Sequence, residues 1–176
     1  MRVSALLPVF LSSVLVSSLA ITRTGLPEIS EAITAVSDAV SAQNGVIAKF
    51  PNEATFADFD KAGDALQDAL KDLYEKIDGS NPLSRSDSNL VVKELVKVLP
   101  RISDTLALVV KKKKAFVNNG NGAAEHVGEE LRDDQGNAKK AFEALQGKVT
   151  VMDPRKLISL GRDLSEEFKK AVAAYE

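Results

Sequence analysis

The sequence predicts an all-α protein, a five-helix antiparallel bundle with a central apolar helix, preceded by a cleaved signal peptide. Three observations predict it. After residue 20, apolar side chains recur three and four positions apart in five successive stretches, each bounded by residues that start or stop helices. The 176 residues include no Cys and no Trp, and 5% are aromatic, so disulfides and thiolate metal sites cannot hold the fold and sheet-favouring residue types are scarce. With 44% hydrophobic and 27% charged side chains, the chain has the means to build one ordinary core.

Residues 1–20 carry Arg2, an apolar run from Ala5 to Leu19, and the small residues Ser18 and Ala20 where a cleavage site needs them. This is the pattern of a secretory signal peptide. Pro8 and the serines at 12, 13, 17 and 18 argue against a membrane anchor, which needs about 20 predominantly apolar residues. Residues 21–176 are expected to form a single helical-bundle domain. No hydrophobic tail follows Tyr175, so the expected product is secreted and extracellular, with no transmembrane segment in the mature protein.

The first helix is expected from about Leu26 to Phe50, with Ile29, Ile33, Val36 and Val40 on one stripe and Pro51 closing it. Phe56, Phe59, Leu66, Leu70, Leu73 and Ile77 trace the second, which stops at the Gly79-Ser80-Asn81-Pro82 turn. The third starts at a Ser84 or Ser86 cap and continues to the lysines at 111–114. Its apolar residues fall on two faces, Val91, Leu95, Val98, Ile102 and Val109 on one and Val92, Val96, Leu99, Leu106 and Val110 near the other, which predicts a helix surrounded by its neighbours. Pro100 predicts a kink and irregularity near Val96. A turn at Asn118 to Gly122 precedes a weaker fourth helix through Val127, Leu131, Ala138, Phe142, Leu145 and Val149. Asp153 as cap and Pro154 at the first position begin the fifth, through Leu157, Leu160, Leu164, Phe168, Val172 and Tyr175.

A net charge of -2 gives no electrostatic footprint for a phosphate backbone, so nucleic acid is not an expected partner. His126 is the single histidine, with Glu125, Glu129 and Glu130 beside it, and it reads as a surface residue because no motif partner stands near it. HExxH, GxSxG and phosphate-cradling glycine loops are all missing. No enzyme activity, cofactor or metal is therefore expected. Asp58, Asp60 and Asp64, and Asp133 and Asp134, lack the ordered spacing of a calcium loop and read as solvated helix faces. The run Lys111 to Lys114 reads first as cations at the carbonyl end of the third helix, with stems covering apolar surface, and second as a patch for an anionic headgroup or acidic polymer.

The apolar surplus remains. Five amphipathic helices can pack a solid core or leave a lumen for an apolar ligand, and periodicity does not distinguish the two. Leu66, Leu70, Leu73, Leu95, Leu99, Ile102, Leu106, Phe142, Leu145, Leu164 and Phe168 would line such a lumen. An enclosed apolar volume of about 300 Å³ or more favours uptake of a ligand, and a smaller one favours adsorption.

Over residues 82 to 117 the chain resembles the fungal hydrophobic surface-binding protein A family, which includes the cell-wall galactomannoproteins. The likeness lies in the serine-started helix, the Val98-x-Pro100-x-Ile102-x-x-x-Leu106 stretch, and the lysine run ending at Phe116. It extends more loosely from about Ile29 to Tyr175, including Phe168 and Ala173-Ala174-Tyr175. The resemblance implies a secreted or wall-associated five-helix bundle that adsorbs to hydrophobic surfaces, recruits a lytic enzyme such as a secreted hydrolase there, or holds fatty acids in a central cavity. Two departures carry expectations of their own. Residues 119–137 are more polar and glycine-rich than the family pattern, which implies a lumen less closed on the fourth-helix side. A serine- and threonine-rich tail is missing, which implies release or loose wall association.

Three readings follow. In the first, the protein binds a fatty acid or similar lipid in the lumen, with its carboxylate near Gln67, Ser103 or Thr105. In the second it adsorbs to a hydrophobic surface through amphipathic helices. In the third it is a structural wall mannoprotein with no ligand.

Overall fold

The computed structural model describes residues 25–150 and 154–176; the expected signal peptide and the Asp153 cap lie outside the described residues. Five helices follow in order: α1 (Leu26–Lys49), α2 (Phe56–Asp78), α3 (Arg85–Asn119), α4 (Ala123–Lys148) and α5 (Pro154–Tyr175). Local chemistry sets their ends. Thr55 begins α2 by accepting from the Asp58 amide at 3.2 Å while Asp58 accepts from the Thr55 amide at 2.8 Å, a reciprocal cap that satisfies two otherwise orphaned donors. Ser84, not Ser86, caps α3, accepting from the Asp87 amide at 3.2 Å. The turn after α3 is shorter than Asn118 to Gly122, because α3 continues through Asn119. Gly120, Asn121 and Gly122 then reverse the chain with φ of 72, 52 and 74°, a left-handed run that side chains larger than Gly and Asn resist.

Each helix turns one apolar stripe inward, and the stripes meet in one core of residues from all five helices. α1 packs on α2, α2 on α4, α4 on α5, α5 on α3 and α3 back on α1, a closed ring crossed by a lesser α3 to α4 contact. Directions alternate along the chain as expected, yet side-by-side helices are not all antiparallel. The C-terminal ends of α1, α3 and α5 meet at Phe50, Phe116 and Tyr175, together with the N-terminal end of α2 at Phe56 and Phe59. The α1/α3, α3/α5 and α2/α4 pairs are therefore parallel. At the opposite end, the loop before α3 is tied to the end of α4, the Leu83 amide donating to the Lys148 carbonyl at 2.7 Å and the Thr150 amide to Ser88 Oγ at 2.9 Å.

The longest helix, α3, touches α1, α4 and α5, but it forms part of the ring wall instead of an encircled axis. Leu90, Val96, Val110 and Val117 are exposed along its outer flank. Pro100 lies on that flank too, and α3 runs unbroken through it. α3 stays helical at Val96, where irregularity was expected; Val96 and Pro100 are both exposed, a setting in which water can satisfy a carbonyl that a proline leaves without its donor. A proline inside a helix still costs up to about 3 kcal/mol relative to Ala, offset in part by its stiffening of the unfolded chain. Pro100→Ala should therefore stabilise the bundle by about 1–2 kcal/mol, read as a raised urea midpoint; a destabilised variant would show that proline is required where it stands.

The lysine run does not end α3. Lys112 instead donates to the Ala48 and Phe50 carbonyls at 3.2 and 2.5 Å, and Lys113 to the Ala174 carbonyl, so two of the four lysines close the C-terminal ends of α1 and α5. Lys148 does the same for α2 through Asp78 and Ser80, at 2.8 and 2.7 Å. Cations at these carbonyl ends meet both orphaned acceptors and the negative end of the helix dipole.

Candidate functional site

Inside the ring, in the half away from the aromatic end, lies a void whose wall comes from every helix: Ile33 and Val36 of α1, Leu70, Leu73 and Ile77 of α2, Leu95, Val98, Leu99 and Ile102 of α3, Ala138, Ala141, Phe142 and Leu145 of α4, and Leu164 of α5. Every one of these side chains is apolar. The void measures about 30 Å³, enough for about one water molecule and well below the volume that would favour uptake into a preformed chamber. Leu66 and Leu106 line a second void of about 20 Å³ nearer the aromatic end, with Gln43, Thr105, Glu130 and Asp134 on its wall.

A larger hollow of about 200 Å³ lies between α4 and α5, and Ala138, Phe142 and Leu164 form part of both its wall and that of the central void. Phe142 is half-buried and stands between the two spaces. Its ring rests on Gly161, where an added Cβ would come 3.1 Å from Phe142 Cδ1. A side chain at 161 would make the ring give way by a few tenths of an ångström. Ile158, 55% exposed, sits at the mouth with Lys139 and Arg162. Both cations reach only loose, exposed acidic partners, Glu143 at 3.8 Å and Asp163 at 3.4 Å, pairs worth little in water. The other end of α5 is held firmly. Tyr175 donates to the Val109 carbonyl at 2.8 Å, and its Cβ lies 3.3 Å from where a Cβ on Gly128 would stand. Burial pushes the Tyr175 hydroxyl far above its ordinary pKa, so it remains a donor.

Toward the aromatic end the α2/α4 seam turns polar. Glu130 and Asp134 are 6% and 3% exposed, and Glu130 Oε2 and Asp134 Oδ1 have no hydrogen-bond partner. Burial, reinforced by Asp134, Asp60, Asp64 and Asp133, pushes the Glu130 carboxyl up to about 8; burial and Asp133 push Asp134 up to about 7. The Glu130 carboxyl is seated on bare backbone at Gly63, where a Cβ would lie 2.5 Å from Oε1. His126 Nε2 lies 2.6 Å from Asp60 Oδ1 and 3.6 Å from Glu130 Oε1.

All eleven apolar residues expected on a lumen wall line one of these three spaces, Phe168 lining both the groove and the smaller void. Of the expected polar anchors, Thr105 is buried on the wall of the smaller void and accepts from Asn44 Nδ2 at 3.0 Å, whereas Gln67 and Ser103 are half-buried and line none of the three. The fourth-helix side does carry an opening, but the glycines of 119–137 do not make it. That stretch admits Tyr175 at Gly128, and Val127, Glu130, Leu131 and Asp134 are buried. The opening lies farther along α4, from Gln135 to Gln146. The expectation that Asp134 belongs to a solvated face is likewise overturned, and His126 has the partner that the sequence alone did not place beside it. Asp60 lies 66 residues away, too far for a local motif to reveal.

The family model for hydrophobic surface binding protein A matches residues 26–147. No curated protein matches the chain. Among solved structures, ligand binding domain 1 of Penicillium marneffei MP1 protein, complexed with arachidonic acids, is similar over 86% of this chain and 98% of its own, at 18% identity and a TM-score of 0.80. Ligand binding domain 2 of the same protein, complexed with multiple arachidonic acids, is similar over 85% and 94%, at 21% identity and a TM-score of 0.78. AFMP4P in complex with palmitic acid is similar over 86% and 99%, at 19% identity and a TM-score of 0.79. These likenesses establish a shared fold. Among the described residues no helix is long and apolar enough to cross a membrane.

Proposed function

The chain belongs to the hydrophobic surface binding protein A family, and from that premise we propose that it is a secreted, non-enzymatic binding protein that takes a fatty acid or similar lipid between its helices through the α4/α5 groove. The observation that carries this reading is that an all-apolar central void and a groove open to the surface share Ala138, Phe142 and Leu164 on their walls, with the half-buried Phe142 between them. Proteins of the same fold are complexed with arachidonic and palmitic acids. A void of about 30 Å³ cannot hold an acyl chain, so uptake requires Phe142 to leave Gly161 and α5 to move off α4. Burying hydrocarbon then supplies about 0.8 kcal/mol per methylene, against the local cost of parting the seam. The carboxylate stays at the mouth beside Lys139 and Arg162, because every side chain on the wall of the central void is apolar and offers it no polar partner. On this reading the polar anchor is the groove rim, a different choice from Gln67, Ser103 or Thr105.

Native mass spectrometry of the secreted protein, with lipid extraction from the same sample and added palmitate, tests the reading. Retained or added fatty acid bound in whole-number stoichiometry supports it. A protein that stays bare in both conditions but coats polystyrene supports adsorption, the reading that the small closed void favours. The gate has its own test. Phe142→Ala should speed uptake of a fluorescent fatty acid roughly tenfold, equivalent to about 1.4 kcal/mol off the opening barrier, in stopped-flow measurements; an unchanged rate would place the way in elsewhere.

A further inference from the structure

We propose that Asp60, His126 and Glu130 form a binding site for one divalent transition-metal ion of the zinc class, bridging α2 and α4 beside the aromatic end of the bundle. His126 and Glu130 are four residues apart on α4 and so share one face of the helix, and Asp60 reaches them from the first turns of α2. One ligand atom from each lies within 4.8 Å of the other two, a triangle that a tetrahedral ion with ligand bonds of about 2.0–2.2 Å closes with small side-chain shifts. The imidazole nitrogen selects a borderline cation over Ca²⁺ or Mg²⁺, which prefer all-oxygen shells.

An ordinary hydrogen-bonded His and Asp pair accounts for Asp60 and His126 but not for Glu130. That carboxyl is 94% withdrawn from solvent, since 6% is exposed, and Oε2 has no partner. Among the described residues no Lys or Arg forms an ion pair with it. It is held instead on the bare backbone of Gly63 and faces an imidazole at 3.6 Å. A divalent ion supplies the positive charge that this corner lacks, and the half-exposed Asp60 and His126 leave a side open for it to arrive and for water to complete its shell. The Phe56 ring, 5.7 Å from the imidazole and edge-on to it, packs beside that ligand. The site is separate from the α4/α5 groove and does not depend on the lipid reading.

The test is zinc titration of the whole protein after chelator treatment, followed by calorimetry, native mass spectrometry and thermal melting. One Zn²⁺ per chain with a raised melting temperature is expected, and excess Ca²⁺ should not replace it. Glu130→Gln and His126→Gln should each weaken binding by on the order of 10–100-fold or more and abolish the thermal shift, with unchanged helical circular dichroism. Failure of the wild-type protein to bind Zn²⁺, or wild-type affinity in both variants, overturns the site. Since the readouts involve no lipid, they stand whether or not the protein binds fatty acids.

Discussion

Phe116→Ala should cost about 3–5 kcal/mol of stability, the largest single-residue loss expected in the bundle. Phe116 is fully buried at the end of the ring where four helices and a loop converge. Its ring stacks on Phe50 at 4.6 Å between centroids, tilts against Phe59 at 4.9 Å, and meets Phe56 and Tyr175 at 6.4 Å. Truncation removes both the buried area of one aromatic and its offset and edge contacts with the others, and leaves a cavity at their centre. Urea unfolding checks this: the midpoint should fall with an unchanged slope. A loss below about 1 kcal/mol would mean that the cluster collapses around the gap at little cost. Because the central void lies farther down the bundle, the folded variant should take up added palmitate, if the wild-type protein does, in the same stoichiometry.

Asp134→Asn should reverse part of a pH penalty built into the core. The Asp134 carboxyl titrates at about 7 in the fold, against an ordinary value of 3.8. Between these values the unfolded chain has released the proton and the folded chain still holds it, so stability falls as pH rises from about 4 to 7 and then levels. Glu130, pushed up to about 8, extends the same slope. The caps Glu28 and Asp58 have lowered values and act the opposite way, losing their contribution only in stronger acid. In the presence of chelator, wild-type protein should thus be more stable at pH 5 than at pH 8. The uncharged amide in place of the carboxyl should remove about 1–3 kcal/mol of that difference, read from urea midpoints at the two pH values. An identical pH difference in both proteins would mean that Asp134 is ionised in the fold at no cost.

Helices are legible in the sequence wherever the apolar stripe is regular. Phe56 to Ile77 repeats mostly every three or four residues and forms α2 as expected, and the same periodicity picks out eleven residues of which eight line the central void, while Leu66, Leu106 and Phe168 line the neighbouring spaces. Periodicity assigns faces, however, and not neighbours. The two apolar faces of α3 suggest a helix enclosed on all sides, yet Val96 and Val110 face water, because a long helix in a ring has an outer flank. The gate is legible only in half: Phe142 by its spacing, Gly161 not at all, since a glycine that admits a ring from another helix has no local signature. The buried carboxyls are hidden for a different reason. Asp134 falls between Leu131 and Ala138 on the very stripe that the sequence traces, with Glu130 beside it, but apolar periodicity passes over carboxyls that sit among Arg132, Asp133 and Gln135 in a polar stretch.

The α3 to α4 contact divides the ring into two loops, a larger one of α1, α2, α4 and α3 and a smaller one of α3, α4 and α5. Parting α4 from α5 breaks only the smaller loop. The larger would stay closed as a four-helix frame, with α5 pivoting at its Tyr175 end, which is pinned to α3 by the Val109 carbonyl and Lys113. A container filled by the proposed route would not need to dissolve first. A ligand would displace one panel, and the frame's own cooperativity would be left to resist everything else.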